Sequence, residues 1–350
     1  MINQLTIAGG GLAGLSLGRA LAQRGIPVEL HEAGTYPRHK VCGEFISGLT
    51  PETIRILDLE PLLTEAISLN SVRWFRRNQM LRDWNLPAPA QGISRFRLDA
   101  ALAKAFVNAG GKLVEHSRIS LSCEADKQDL EEGLIQATGR VPARGSLGRR
   151  WLGLKIHVLP PFALDADLEV HLGKNAYVGL SRIEDGRVNL CGLFQQRELP
   201  DGNRDSLLET YLEQAQLFQL RERLVAAQCD PKSRCAVAGL DFRQDTSRAG
   251  YLRLGDSRGM TPPYTGHGMA MALESAALAL DPLVAYAQGK YNWGVTTGLI
   301  QQRHARLRRR LRCARFLHFM LHASPPQQWL GQLTRLRLLP LNQLYHLTRS

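Results

Sequence analysis

Three glycines near the amino terminus have the spacing of a phosphate-binding turn. Gly9, Gly11 and Gly14 follow a short apolar strand and precede a run of small residues that predicts a helix. Gly9 permits the tight turn, Gly11 lets the backbone approach a pyrophosphate, and Gly14 lets the helix pack close to the strand. The N–H groups at the start of that helix can hold phosphates. Glu32, at the end of the next predicted strand, is placed to accept hydrogen bonds from ribose hydroxyls. The segment therefore predicts a dinucleotide site.

A second segment that could contact a cofactor lies three-quarters of the way along the chain. A predicted strand ends at Gly255-Asp256, and Gly266-His267-Gly268-Met269 opens a helix of small residues. Asp256 can accept hydrogen bonds from a polyol, and the start of a helix can stabilise negative charge that develops on a neighbouring ring. A Gly-Asp pair is also a common turn. Combined with the amino-terminal motif, it indicates a second part of the same site.

The loop from Pro37 to Ser47 contains residues suited to redox or acid–base chemistry. It matches neither helical nor strand periodicity, and it includes Arg38, Lys40 and Cys42. The two cations are expected to favour the thiolate of Cys42, although a packed, unreactive thiol fits the sequence too. The six cysteines form no C-x-x-C pair, so we expect free thiols, no metal site and a reducing cytoplasmic location.

Residues 151–158 alternate as a strand. Leu152, Leu154, Ile156 and Val158 share one face, while Trp151, Gly153, Lys155 and His157 share the other. The second face either meets solvent or lines a cavity, and solvent is the simpler expectation for Lys155 and His157. If the face lines a cavity, these side chains and His267 are candidates to transfer protons.

The basic residues are concentrated at the carboxyl terminus. Residues 291–350 contain ten arginines and no acidic residue, so they carry ten of the twelve net positive charges. Leu307, Leu311 and Ala314 recur there at helical spacing, as do Leu317 and Leu321. This pattern fits either an interfacial helix that contacts a membrane peripherally or a helix packed on the protein with its arginines in solvent. Nucleic-acid binding is not favoured, because interleaved aromatic residues are absent.

Strand and helix patterns predict an α/β fold with an insertion. A Rossmann-like nucleotide-binding domain is expected to comprise residues 1–70, 92–150 and 236–290. An inserted antiparallel β-sheet domain for substrate would comprise 71–91 and 151–235, since hairpins near Asn78 and Asp185-Gly186 break the alternation of strand and helix. Residues 291–350 would form a basic helical region.

From Ile2 to about Ala277, the chain resembles the flavoprotein superfamily of para-hydroxybenzoate-hydroxylase-like monooxygenases, flavin-dependent halogenases and geranylgeranyl reductases. The resemblance implies that the inserted fold is an FAD-binding domain with a substrate domain. Its motifs assign these cofactor-binding residues: Gly9, Gly11, Gly14, Glu32, Arg38, Arg95, Ala137, Gly139, Gly255, Asp256, Gly266, Gly268 and Met269. The Lys-x-Cys-Gly segment at Cys42 is similar to that of geranylgeranyl reductases, where the cysteine lies over the flavin.

The sequence departs from the superfamily at two places. Residues 137–140 read Ala-Thr-Gly-Arg where phenolic hydroxylases carry Asp-Gly, which places direct nicotinamide binding in doubt. Nothing matches the Trp-x-Trp-x-Ile-Pro of halogenases or the aromatic run of the reductases. The sequence has no second G-x-G-x-x-G, so NAD(P)H would have to bind transiently or a separate flavin reductase would supply electrons.

The resemblance implies an FAD-dependent oxidoreductase, with monooxygenation of a hydrophobic aromatic, polyketide-like or lipid-like substrate favoured. Candidate catalytic residues are Cys42, His267 and Lys155. The alternatives are reduction of a C=C bond in a prenyl or related lipid and, in another class, a non-catalytic flavin-loaded scaffold that docks on membranes.

Overall fold

The computed structural model describes residues 3–120, 131–140, 151–195, 206–240, 242, 251–263, 266–322, 342, 343 and 345. In chain order the strands are β1 (Leu5–Ala8), β2 (Val28–His31), β3 (Phe45–Ile46), β4 (Ile67–Arg76), β5 (Gln79–Gly92), β6 (Lys112–Val114), β7 (Leu134–Gln136), β8 (Trp151–Val158), β9 (Leu168–Gly173), β10 (Ala176–Arg182), β11 (Val188–Gln195), β12 (Cys229–Leu240) and β13 (Leu252–Arg253). The helices are α1 (Leu12–Ala22), α2 (Pro51–Leu57), α3 (Arg95–Asn108), α4 (Leu207–Gln214), α5 (Phe218–Val225), α6 (Gly268–Ala287), α7 (Trp293–Arg303) and α8 (Ala305–His322).

Sheet A is a parallel sheet with the strand order β13-β7-β1-β2-β6. Its short strands are apolar, and α1 packs between the sheet and helices α3 and α6. Every residue of α1 is buried, which explains its run of small and apolar side chains. The carboxyl ends of β1 and β2 carry Gly9 and Glu32, so the predicted Rossmann-like core is confirmed.

Sheet B has eight strands in the order β12-β8-β11-β10-β9-β4-β5-β3. The two predicted hairpins are confirmed as β4–β5, which turns at Arg77 and Asn78 with positive φ, and β10–β11, which turns near Asp185. Sheet B is the predicted inserted sheet, and it is mixed rather than entirely antiparallel. β4 pairs in parallel with β9, because the chain passes through sheet A between these two strands.

The limits of sheet B differ from the predicted domain boundaries. β3 and the first residues of β4 fall within the segment 1–70, and β12 crosses the boundary at 235. Turn residues suggested those boundaries, whereas backbone pairing continues beyond them. Helices α4 and α5 cover one face of sheet B through Leu208, Leu212 and Leu220, which contact the predicted apolar face of β8.

The carboxyl-terminal helices pack on sheet A's helices. Leu307 and Leu311 of α8 form an apolar cluster with Met271 of α6, and Arg310 forms a buried ion pair with Glu274 at 2.5 Å. Of the two interpretations of the basic helix, packing on the protein therefore describes this part of it. The side chains of Leu317 and Leu321, and most residues beyond 322, lie outside the described residues. Peripheral membrane contact through the exposed arginines stays a prediction.

Among the described residues, α6 is the one helix long and apolar enough to cross a membrane by length and composition. Within the protein it contacts α1 and α7, and 61% of its apolar window is buried. Its hydrophobicity is therefore explained by its position in the core.

Candidate functional site

The amino-terminal glycines pack as their spacing predicts. Gly9 has φ of +108°, and a Cβ there would lie 2.4 Å from the carbonyl oxygen of Ala137. A Cβ at Gly14 would lie 2.0 Å from the oxygen of Gly9. The backbone N–H of Ala137 donates to Ala8 O at 2.7 Å, which fixes the end of β7 beside this turn. Both glycines are therefore required by close packing of backbone on backbone.

Gly11 differs from its neighbours because space is open in front of it. It is the extended N-cap residue of α1, and a Cβ there would have Arg95 Nη2 as its nearest atom, at 4.0 Å. The start of a helix, an open backbone and a guanidinium group together suit an anionic ligand. Asp99 holds that guanidinium through two hydrogen bonds of 2.7 and 2.8 Å.

Glu32 lies at the edge of the same turn. Its carboxylate accepts hydrogen bonds from the backbone N–H groups of Gly10 and Gly34, both at 2.9 Å, and from Arg38 Nη2 at 2.7 Å. Burial alone would raise the pKa of Glu32, but the hydrogen bond from Gly34 and the charges of Lys40 and Arg38 lower it. Glu32 is therefore an ionised acceptor. Arg38 is linked to this turn by its ion pair with Glu32.

The second glycine segment meets the first at Gly255. This residue has φ of +57°, and a Cβ there would lie 3.3 Å from the Cβ of Ala13 in α1. Asp256 retains exposed atoms, but burial of its carboxyl group raises its pKa to about 6, against the lowering effects of a hydrogen bond from the backbone N–H of Thr261 and of the charge of Arg95. Two segments far apart in sequence therefore converge on Arg95.

The residues before α6 also occupy the predicted positions. Gly266 has φ of +65°, His267 is the buried N-cap residue, and α6 begins at Gly268. The Met269 side chain packs in the core of sheet A's helices, which leaves its backbone at the helix start.

Gly139 has φ of +74° with no atom within 4 Å of an added Cβ. Tyr264 and Thr265 lie outside the described residues.

Cys42 lies beside Arg95, but the predicted activation by Arg38 and Lys40 was wrong. Arg38 pairs with Glu32, and Lys40 pairs with Asp99 at 3.0 Å. Burial raises the pKa of the Cys42 thiol, and the charge of Arg95 opposes this only in part. The thiol form is therefore favoured. The other described cysteines, at 191, 229, 235 and 313, are free thiols.

The expectation that Lys155 and His157 face solvent was wrong. Each is only 1% exposed, because the loop containing Cys42 covers this face of β8. Lys155 Nζ lies 2.8 Å from Glu44 Oε1, and His157 Nε2 lies 2.6 Å from Glu44 Oε2. Lys155 also lies 3.2 Å from His39 Nδ1. Sequence reasoning did not assign a role to Glu44. The signal that could have identified it is an acidic residue in this loop together with two basic side chains on one face of a predicted strand.

Further along the same face, the side chains are apolar and aromatic. Trp151, Tyr177 and Leu193 form a cluster that continues to Leu240 and Phe242. Met260 packs against it and belongs to the segment between Asp256 and Gly266. The face of sheet B thus changes from charged near Glu44 to apolar near the second glycine segment.

The residues fit an FAD molecule by the chemistry of their donors. Backbone N–H groups at the start of α1 and Arg95 suit a pyrophosphate, Glu32 suits a ribose, and Asp256 suits a polyol chain. A side chain at Gly11 would project into the open space that a phosphate needs.

Several solved structures of flavoproteins share this fold. HpxO from Klebsiella pneumoniae, solved with FAD and uric acid, matches with a TM-score of 0.75 and 18% identity over 99% of this chain and 96% of that chain. The flavin-dependent brominase Bmp2 matches with a TM-score of 0.72 and 15% identity over 99% and 93%. A flavoprotein/dehydrogenase from Cytophaga hutchinsonii matches with 0.69 and 14% identity over 98% and 91%. No protein-family model and no curated protein matches the sequence.

The chain therefore shares the fold of these solved flavoproteins, as its motifs predict. At these identities the likeness concerns the fold, and the activity must be argued from the site.

Proposed function

We propose that this protein is an FAD-dependent oxidoreductase, and that it is a monooxygenase acting on a hydrophobic aromatic, polyketide-like or lipid-like substrate. The observation that carries the proposal is the convergence of Gly11, Cys42 and Asp256 on Arg95. HpxO, which was solved with FAD, shares the fold and supports the choice of cofactor.

When bound, FAD supplies the redox chemistry, and the protein's residues bind, orient and exclude water. Glu32 would hold a ribose, Arg95 and the start of α1 the pyrophosphate, and Asp256 the ribityl chain. The backbone from Gly266 to Met269 would stabilise negative charge through the start of α6. His267, buried at that helix start, and Lys155 are the candidates for holding a proton near the substrate.

The apolar cluster on sheet B supports a hydrophobic substrate. Trp151, Tyr177 and Leu193 lie on the face that carries Lys155, and Met260 links the cluster to the second glycine segment. An aromatic substrate would gain from both apolar burial and ring contacts here.

Three alternatives differ from monooxygenation. A reductase would transfer hydride to a C=C bond of a prenyl or related lipid, and the Lys-x-Cys-Gly segment favours it. Halogenation is suggested by the brominase fold, but the sequence lacks the halogenase Trp-x-Trp-x-Ile-Pro segment. A non-catalytic scaffold would bind FAD without turnover.

The electron donor is proposed to be NAD(P)H that binds transiently, or a separate flavin reductase. The sequence has no second G-x-G-x-x-G motif. Arg140, in the segment that replaces Asp-Gly, donates a hydrogen bond to Ala238 O at 2.6 Å. This contact ties that segment to β12.

The purified protein tests the proposal. We expect a yellow protein whose flavin is bleached by NADH, NADPH or an added reductase, and which consumes oxygen faster when a phenolic lipid is present. Turnover of a polyprenyl lipid only under anaerobic conditions would favour the reductase. Bleaching without any product would favour the scaffold.

Asp256→Ala should lose most bound flavin, because the carboxylate that would accept hydrogen bonds from ribityl hydroxyls is removed. The measurement is flavin absorbance per protein after gel filtration. Asp281→Ala, which changes a surface carboxylate of α6 that is 73% exposed, is the matched control and should retain its flavin. Equal flavin in both variants would refute the assignment of Asp256.

A further inference from the structure

Glu44 has an unusual backbone and an unusual environment for a glutamate. Its φ is +56°, in the left-handed region that glycine adopts more readily. Its side chain is 0% exposed, in a loop whose neighbours Gly43 and Cys42 retain some exposure. A residue with this backbone and burial is unfavourable unless its side chain makes strong contacts.

The carboxylate makes those contacts with two parts of the fold. Oε1 accepts hydrogen bonds from Lys155 Nζ at 2.8 Å and from the backbone N–H of Arg95 at 3.0 Å. Oε2 contacts His157 Nε2 at 2.6 Å. Lys155 and His157 lie on β8, while Arg95 begins α3. One side chain therefore joins the substrate sheet to the helix that carries the central arginine.

The two preceding peptide groups are held by the same sheet. Asn189 Nδ2 of β11 donates to Cys42 O at 3.0 Å, and Ser181 Oγ of β10 donates to Gly43 O at 2.7 Å. Both side chains are buried. Three consecutive loop residues are thus fixed to three neighbouring strands. The contacts at Glu44 are charged, whereas the other two are neutral.

The Glu44 carboxylate has Lys155 as its buried counter-ion. Burial alone would raise the pKa of Glu44, but the hydrogen bond from His157 and the charge of Lys155 lower it, so the carboxylate is ionised. His39 faces Lys155 from the loop, and burial together with Lys155 and His157 lowers the pKa of His39 to about 4. His39 is therefore neutral near pH 7 and accepts from the lysine. Cys191 and Cys235 face the same lysine from β11 and β12.

We propose that Glu44 is a positioning residue whose buried ion pair with Lys155 and buried contact with His157 hold Cys42 and Arg95 in register with the substrate sheet. The consequence for a bound flavin rests on the proposed function, whereas the positioning of Cys42 does not. Loss of the carboxylate frees the loop and leaves the fold of sheet B in place.

The alkylation rate of Cys42 tests this proposal without any flavin. Glu44→Gln keeps the shape of the side chain but leaves the buried ammonium of Lys155 without its counter-ion. We expect Cys42 to be alkylated by iodoacetamide about tenfold faster, because each opening of the loop becomes less costly. Peptide mass spectrometry resolves Cys42 from the other thiols.

Glu169→Gln is the matched control. Glu169 is also 0% exposed on sheet B, with Arg223 at 2.9 Å and His171 at 3.0 Å, but it contacts no residue of the Cys42 loop. This variant should lose stability and leave the Cys42 rate near that of the native protein. If Glu44→Gln fails to fold, Glu44→Asp, which keeps the charge on a shorter side chain, should show a smaller acceleration.

An unchanged Cys42 rate in both Glu44 variants would overturn the proposal. Equal acceleration in Glu44→Gln and Glu169→Gln would overturn it too, because the effect would then report general loosening. In flavin-loaded protein, Glu44→Gln should also shift the visible flavin spectrum while retaining the flavin. A colourless native protein would sink the proposed function and leave the alkylation result interpretable.

Discussion

The glycine turns and the Cys42–Glu44 loop lie on either side of Arg95, but different forces hold them. At Gly9 and Gly14 the backbone packs so closely that a Cβ would overlap another backbone atom. At Glu44 the loop is held by buried charge and hydrogen bonds to side chains of sheet B. The first region depends on glycine positions that have no side chain, whereas the second depends on specific side chains. The first should therefore fail by steric overlap, and the second by unpaired charge.

The largest expected effect comes from removing a charge beneath the loop. Lys155→Met keeps the volume of the side chain but leaves the Glu44 carboxylate without its lysine. We expect the free energy of unfolding to fall by about 3–5 kcal/mol, as for other broken buried ion pairs. Urea unfolding followed by circular dichroism measures it. Lys112→Met, at a lysine whose side chain is 69% exposed and pairs with Glu29, should change little. Similar small losses in both would contradict the importance of buried charge here.

Acid should weaken sheet B through a second buried carboxylate. Burial alone would raise the pKa of Glu169, but hydrogen bonds from His171 and Arg223 lower it to about 2. A depressed pKa gives stability that is fully present above the unfolded-state value and is lost as the pH falls through the folded value. The total is about 3 kcal/mol.

Glu169→Gln should remove this pH dependence. Between about pH 5 and about pH 3, the native protein should lose more of its free energy of unfolding than the variant does. The comparison requires urea unfolding of both proteins at each pH. Parallel losses in the two proteins would show that other groups control the acid sensitivity of the sheet.

The glycine turn should show smaller effects that separate packing from binding. Gly14→Ala places a methyl group 2.0 Å from Gly9 O and should lower the free energy of unfolding by about 1–3 kcal/mol. Gly11→Ala meets no atom closer than 4.0 Å and should leave stability nearly unchanged. Its methyl group should instead weaken flavin binding, measured by titrating FAD into the apoprotein. Stronger destabilisation by Gly11→Ala than by Gly14→Ala would reverse these assignments.

The sequence was most informative where the chemistry is local. Gly14 and Glu32 have roles set by backbone geometry within one strand–helix–strand unit, and their positions follow from spacing, whereas Gly9 also packs against Ala137 at the end of β7. The pairing of β4 with β9 was not foreseeable in this way, because it depends on which strands meet after the chain has passed through sheet A.

The environment of Lys155 shows the same limit. Alternation along β8 correctly separated the two faces of the strand, but it contains no information about what covers each face. The cover comes from the loop at Cys42, far away in sequence, and it turns an expected surface lysine into a buried partner of Glu44. Glu44 was overlooked for the same reason. A single acid in a loop has no periodicity, and its meaning depends on the cations it meets.

The strand order of sheet A has a consequence for how the chain folds during synthesis. β13 joins the edge of a sheet whose central strand begins at Leu5, and α8 packs over Gly259 through Leu311. During synthesis, β1 can pair with β2 once both have left the ribosome, whereas β7 stays an edge strand until β13 arrives. Nascent chains that stop short of this helix would lack the cover over Gly259, so the segment that follows Asp256 should reach its final packing late in synthesis.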